Sequence, residues 1–268
     1  PSNATVPCGF LLQGFSEFPH LRPVLFLLLL GVHLATLGGN LLILVAVASM
    51  PSRQPMLLFL CQLSAIELCY TLVVVPRSLV DLSTPGHRRG SPISFLSCAF
   101  QMQMFVALGG AECFLLAAMA YDRYVAICSP LLYSTCMSPG VCIILVGMSY
   151  LGGCVNAWTF IGCLLRLSFC GPNKVNHFFC DYSPLLKLAC SHDFTFEIIP
   201  AISSGSIIVA TVCVIAISYI YILITILKMH STKGRHKAFS TCTSHLTAVT
   251  LFYGTITFIY VMPNFSYS

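Results

Sequence analysis

The chain has 268 residues, of which 57% are hydrophobic and only 8% are Asp, Glu, Lys or Arg. A soluble domain carries about 25% charged residues; a chain with so few cannot cover a water-facing surface, so its solvent is lipid. The net charge of +5 is spread over short segments with no long basic run, which leaves nucleic-acid binding without support.

A helix that crosses a bilayer needs ~20 mainly apolar residues. Nearly charge-free stretches place six such spans at 24–48, 57–80, 96–127, 139–161, 197–227 and 238–262. The first 22 residues are mixed polar and contain the sequon Asn3-Ala4-Thr5, so the first span is expected to serve as a signal anchor. Glu67 and Arg77 interrupt the second. The third opens near Cys98, carries Glu112 at mid-length and ends around Asp122-Arg123. Cys170, Cys180 and Cys190 follow the fourth. Lys228, Lys233, Arg235, His236 and Lys237 lie between the fifth span and the sixth, and a second sequon, Asn264-Phe265-Ser266, lies just past the sixth. Membrane β-strands would be ~10 residues long and alternating, a pattern this chain lacks. The fold expected is an all-α membrane protein.

Lys and Arg should mark the cytoplasmic loops, but here they divide almost evenly between the two sides. Other chemistry has to decide. Sequons are modified only in the secretory lumen, and an even number of spans puts Asn3 and Asn264 on one side. The clustered cysteines share that side, where disulfides form. Both chain ends are therefore expected outside the cell.

Two groups of charged residues need partners inside or beside the membrane. An Arg at the boundary requires a counter-charge, and Asp122 supplies one to Arg123 locally; the bland alternative is an Arg that reaches to the headgroups. An ionised acid at mid-bilayer costs ~2.5–3.5 kcal/mol on insertion scales, so Glu67 and Glu112 are protonated or partnered. Facing each other, they would share a proton or hold a sodium ion. The basic residues before the sixth span suit a protein partner, anionic lipid or a merely positive loop.

At the end of the third span the chain reads Met119-Ala120-Tyr121-Asp122-Arg123-Tyr124-Val125-Ala126-Ile127-Cys128, followed by Pro130-Leu131 and Tyr133. Gly39-Asn40, Pro55-Met56, Phe59-Leu60, Leu63-Ser64 and Ser218-Tyr219 stand at matching places. So do Lys237-Ala238-Phe239-Ser240-Thr241-Cys242, Ser244-His245-Leu246 and Phe252-Tyr253-Gly254. These motifs resemble the signature of olfactory receptors, a branch of the rhodopsin-like G-protein-coupled receptors, over nearly the whole chain. The resemblance implies one receptor domain over 1–268, with six of an expected seven helices, in the plasma membrane.

The same resemblance implies that a small, mostly apolar odorant is bound within the bundle and signals through a stimulatory G protein to cAMP. Asp122, Arg123, Tyr124, Tyr219 and Lys237 would form the coupling face. Met102, Phe105, Val106, Gly109, Gly110, Ser203, Ser204, Ile207, Tyr253, Ile256, Thr257 and Tyr260 would line the ligand cavity, the adjacent glycines leaving space. It pairs Cys98 with Cys180 and Cys170 with Cys190, Cys8 being a competing partner. It also places Glu67 and Glu112 at a sodium site, although the family usually has Asp at the position of Glu67. No other cofactor is implied. His177-Phe178-Phe179-Cys180-Asp181 resembles a copper motif proposed for the family, but a disulfide would remove the thiolate such a site requires.

The chain stops just past its sixth span, without the family's seventh helix, which suggests a partial sequence or a truncated, non-signalling product. A second departure is the basic stretch 83–94, longer than usual. The alternatives are a rhodopsin-like receptor for another small apolar ligand and, less favoured, a transporter or channel, which would need charged pathway residues or repeated broken helices. No poised nucleophile or metal cluster suggests an enzyme.

Overall fold

A computed structural model describes residues 9–14, 20–50, 54–84, 90–170, 173–190 and 193–265, with side chains as far as 259. The elements in chain order are β1 (Gly9–Leu12), α1 (Arg22–Ala48), α2 (Pro55–Ser83), β2 (Ser91–Ser94) and α3 (Phe95–Cys128). A 3-10 turn (Pro130–Leu132), α4 (Tyr133–Cys136), α5 (Pro139–Leu164), β3 (Lys174–Val175), α6 (Tyr182–Leu186), α7 (Thr195–Lys228) and α8 (Thr232–Phe265) follow. Proline near the start of α1 and α2 fits a first turn whose N–H groups have no intrahelical acceptor.

Among the described residues, α1, α2, α3, α5 and α7 are long and apolar enough to cross a membrane. Only 6% of the most apolar window of α1 is buried, and Leu27 and Leu42 are 66% and 69% exposed. Water would not tolerate that much open hydrocarbon. By contrast, 61% of the corresponding window of α3 is buried, so α3 faces protein more than lipid. The sixth expected span, 238–262, lies within α8, which is long enough but less apolar than the other five because of its Ser, Thr and His content. Its hydroxyls have an internal solution. Thr243, Thr247, Thr255 and Thr257 each donate to the carbonyl four residues back, at 2.6–2.9 Å, which satisfies both groups without solvent.

The chain divides into two compact units, one of Pro1–Leu115 with Ile143–Val209 and one of Leu116–Cys142 with Ala210–Ser268. The first unit holds a three-stranded sheet ordered β2-β1-β3, which the sequence pattern does not announce because its strands are only two to four residues long. β1 runs antiparallel to β2, Gly9 opposite Ser94, and parallel to β3, Leu11 opposite Lys174. The chain enters β2 through Gly90 at φ +117°, where a Cβ would also meet the Leu12 carbonyl oxygen at 2.8 Å. Beneath the sheet, Phe10 and Leu12 pack with Phe95, Met102, Leu164, Phe169 and Leu185 in an apolar cluster. Phe10 and Phe169 meet edge to face at 5.3 Å. Gln101, 5% exposed, ties this region together: its amide donates to the Val73 carbonyl and its oxygen accepts from the Cys180 N–H, both at 3.0 Å.

Helices α3 and α5 touch backbone to backbone. A Cβ at Gly110 would lie 2.8 Å from the Cα of Gly153, and one at Gly153 would strike the Ala107 carbonyl. Small residues permit such approach between membrane helices. In the second unit, Ile222, Ile226 and Cys242 form a core joined by Tyr124, Ile127, Cys128, Tyr219 and Ala238. Gly153→Val should force α3 and α5 apart at about 1–3 kcal/mol, as overpacking does, and cut cell-surface abundance several-fold. Gly162→Ala, with nothing within 4 Å of the added Cβ, should leave it unchanged; flow cytometry of surface-labelled cells reads both.

Candidate functional site

The C-terminal end of α3 carries an ion pair with a third member. Asp122 is fully buried, and its Oδ2 accepts from Arg123 at 2.6 Å from Nη2 and 3.1 Å from Nε. Its Oδ1 accepts the Tyr133 hydroxyl at 2.8 Å. Burial, the hydrogen bond to Asp122 and the carboxylate's charge hold the Tyr133 phenol well above its usual value, so it remains a donor. Arg123 keeps 16% of its side-chain surface open. A buried carboxylate thus holds one cation and one hydroxyl, leaving the guanidinium at the surface with donors to spare. The sequence suggests Asp122 with Arg123; Tyr133 joins them only because the turn after Ser129 brings α4 back, a contact without local periodicity.

Nearby in the same unit, Tyr219 on α7 and His245 on α8 share a hydrogen bond of 2.6 Å and stack at 18°. Cys128 and Thr225 link α3 to α7 at 3.2 Å, and the Tyr124 ring lies 5.8 Å from the Tyr221 ring. Lys237 is exposed. The polar pairs join three helices that otherwise meet through apolar side chains.

In the first unit, Cys98 and Cys180 are joined with Cα atoms 5.3 Å apart, and Cys170 and Cys190 with Cα atoms 5.0 Å apart. His177 stacks on Phe178 at 4.8 Å, and its Nδ1 lies 3.2 Å from the Phe179 carbonyl oxygen. Burial pushes its imidazole below the usual range and raises the Asp181 carboxyl. Asp181 caps α6 by accepting the Tyr182 N–H at 2.8 Å. His177, Cys180 and Asp181 are all committed to structure, and among the described residues no group of three His, Cys, Asp or Glu could hold a metal ion.

The expected cavity residues separate by surroundings. Met102 is buried and Val106 packs on the apolar cluster. The Phe105 ring meets Tyr70 at 5.4 Å and Phe179 at 4.9 Å. The two glycines do not leave the expected space: the Tyr70 hydroxyl would lie 2.7 Å from a Cβ on Gly109, and α5 occupies the face of Gly110. Ser203 donates to Asn156 Oδ1 at 2.7 Å, while Ser204 is 3.3 Å from the Asn156 amide nitrogen. Asn156, itself buried, was invisible to sequence reasoning because a lone Asn in an apolar run shows no partner. Ile207 is half-buried. In the second unit, Tyr253 and Thr211 share a hydrogen bond of 2.8 Å; Ile256 is half-buried and Thr257 exposed. The side chains of Tyr260 and Asn264 lie outside the described residues, as do Asn3, Cys8 and 85–89. Glu112 is buried and Glu67 half-buried, both in the first unit.

A family model described as olfactory receptor matches residues 29–268. The chain belongs to the olfactory receptor family. It is 71% identical to human olfactory receptor 5P3 over 99% of this chain and 85% of that one. It is 66% identical to human olfactory receptor 10AC1 over 100% of this chain and 82% of that one, and 61% identical to mouse olfactory receptor 5P1 over 100% and 86%. Such proteins are multi-pass plasma-membrane receptors for odorants, not enzymes. The receptor's first disulfide ties a helix end to a distant segment: Cys98 lies in the first turn of α3 and Cys180 just before α6. Non-reducing peptide mapping should recover Cys98 linked to Cys180 and Cys170 linked to Cys190, and Cys98→Ser should cost ~2–5 kcal/mol, visible as lost surface receptor. Free thiols at both Cys98 and Cys180 would refute the pairing.

Proposed function

We propose that this olfactory receptor binds small, volatile, uncharged or weakly polar odorants and signals through a stimulatory G protein of the olfactory type to raise cAMP. The Asp122–Arg123–Tyr133 triad carries this reading. Two partners fix the carboxylate, and the carboxylate restrains a guanidinium that is still reachable from the surface. Odorant binding shifts a pre-existing equilibrium toward a state in which Arg123 exchanges Asp122 for an acceptor on the G protein. Tyr124, Tyr219 and Lys237 belong to the same face. The ligand chemistry follows from the uncharged hydrogen-bonding groups among the expected cavity residues: Ser203 and Ser204 with Asn156, and Tyr253 with Thr211. Met102, Phe105, Val106 and Ile207 supply apolar surface.

The orientation proposed puts the N-terminus, the sheet and both disulfides outside, the triad inside, and glycans on Asn3 and Asn264. Disulfides need an oxidising compartment, which supports that direction. In the full-length receptor, Arg123→Ala should abolish the odorant-evoked cAMP rise while leaving measurable surface expression; undiminished signalling would sink the coupling role. Tyr133→Phe leaves one buried Asp122 oxygen without its donor, at ~1–3 kcal/mol, and should raise ligand-free cAMP several-fold.

The proposed Glu67–Glu112 pair binds a sodium ion or shares a proton. Its support is two intramembrane acids on consecutive spanning helices, neither of which hydrocarbon accepts ionised without a partner. Sodium should then weaken odorant responses in the native receptor and lose that effect in Glu67→Gln; equal sodium dependence of both counts against ion binding.

A further inference from the structure

The second unit has a charge imbalance that its own residues do not relieve. Across 116–142 and 210–268 the only side-chain carboxylate is Asp122, against Arg123, Lys228, Lys233, Arg235 and Lys237. Asp122 is buried and already holds Arg123 and Tyr133. The remaining four cations therefore have no side-chain acid within the unit.

Three basic groups share one face. Thr232, Lys233, His236, Lys237, Ser240 and Thr241 line a shallow concavity of about 610 Å³ along the first turns of α8, and residues spaced three and four apart on a helix are neighbours. Lys233 and Lys237 stand one turn apart, with the His236 imidazole beside them and hydroxyls at both ends of the hollow. Arg235 is exposed but does not line it. Phe239 is 60% exposed immediately beside this face, and Leu227 at the end of α7 is 70% exposed. Large apolar side chains left open next to cations belong where hydrocarbon meets headgroups.

We propose that this face binds the headgroup of an acidic membrane phospholipid, best a polyphosphorylated inositol. Two ammonium groups one turn apart suit two phosphates of one ring. The His236 N–H and the hydroxyls of Thr232 and Ser240 suit the remaining oxygens, and Phe239 meets the acyl chains. A single-phosphate headgroup offers fewer acceptors to the same set. The proposal rests on the orientation given above, in which this end meets the anionic inner leaflet.

The test uses the full-length receptor in phosphatidylcholine nanodiscs, titrated with fluorescent short-chain phosphatidylinositol 4,5-bisphosphate. A surface charge is worth ~1 kcal/mol, or about fivefold, so Lys233→Gln should weaken binding at least about fivefold and Lys233→Gln with Lys237→Gln about 30-fold. Arg235→Gln, the same charge loss off the face, should weaken binding clearly less than Lys233→Gln does. Equal losses at Arg235 and Lys233 mean diffuse attraction without a site and overturn the proposal, as does unchanged binding in the double variant. Free inositol trisphosphate competing as tightly as the lipid would assign the hollow to a soluble phosphate instead. Loss of G-protein binding in the double variant with lipid binding intact would assign it to that protein. Lysine labelling of intact cells reports the orientation separately, so a wrong topology is distinguishable from a missing site.

Discussion

In hydrocarbon no water is available to complete an unmet hydrogen bond, and each orphaned polar group costs several kcal/mol. That constraint orders this receptor. Hydroxyls along α2, α5 and α8 return to their own helix backbone, as Thr71 does to Glu67, Ser149 to Leu145 and Thr255 to Leu251. Polar groups that cannot close on their own helix cross to another element: Gln101 to α2 and the Cys180 N–H, Asn156 to the α7 serines, Tyr219 to His245, Tyr133 to Asp122. Apolar packing, by contrast, gives little direction where lipid tails are as good a solvent as leucine. The contact of Gly110 with Gly153 adds specificity by shape instead.

What the sequence makes legible follows from the same physics. Helices announce themselves because lipid demands long apolar runs, so five of the expected spans coincide with helices of suitable length and composition. The sixth is less apolar in composition because α8 hides hydroxyls internally, something hydropathy cannot register. The sheet escapes sequence reading, since strands of two to four residues show no alternation. Adjacent glycines were read as space, yet they meet a tyrosine hydroxyl and a neighbouring backbone. A missing side chain signals close approach and open room equally well until the neighbour is known.

At the site, contiguous chemistry was readable and converging chemistry was not. Asp122 and Arg123 are adjacent in sequence, so their pairing needs no fold. Tyr133, Asn156 and the histidine partner of Tyr219 come from other elements. Two extended pairings followed from family motifs alone, Cys98 with Cys180 and Cys170 with Cys190. Charge asymmetry between the two units is arithmetic on the sequence, but it gains meaning only once Asp122 is seen to be fully enclosed.

The central position of β1 has a bearing on how the receptor is made. Leu11 and Leu12 pair with Lys174 and Val175, which leave the ribosome more than 160 residues later. Contacts so distant in the chain form slowly, because loop closure precedes any reward. Four long helices lie between β1 and β3, so the sheet that covers Phe10 and Leu12 is completed only after they have been made. When β1 docks between β2 and β3 it joins segments far apart in the chain, so the sheet should be among the last parts of the first unit to close.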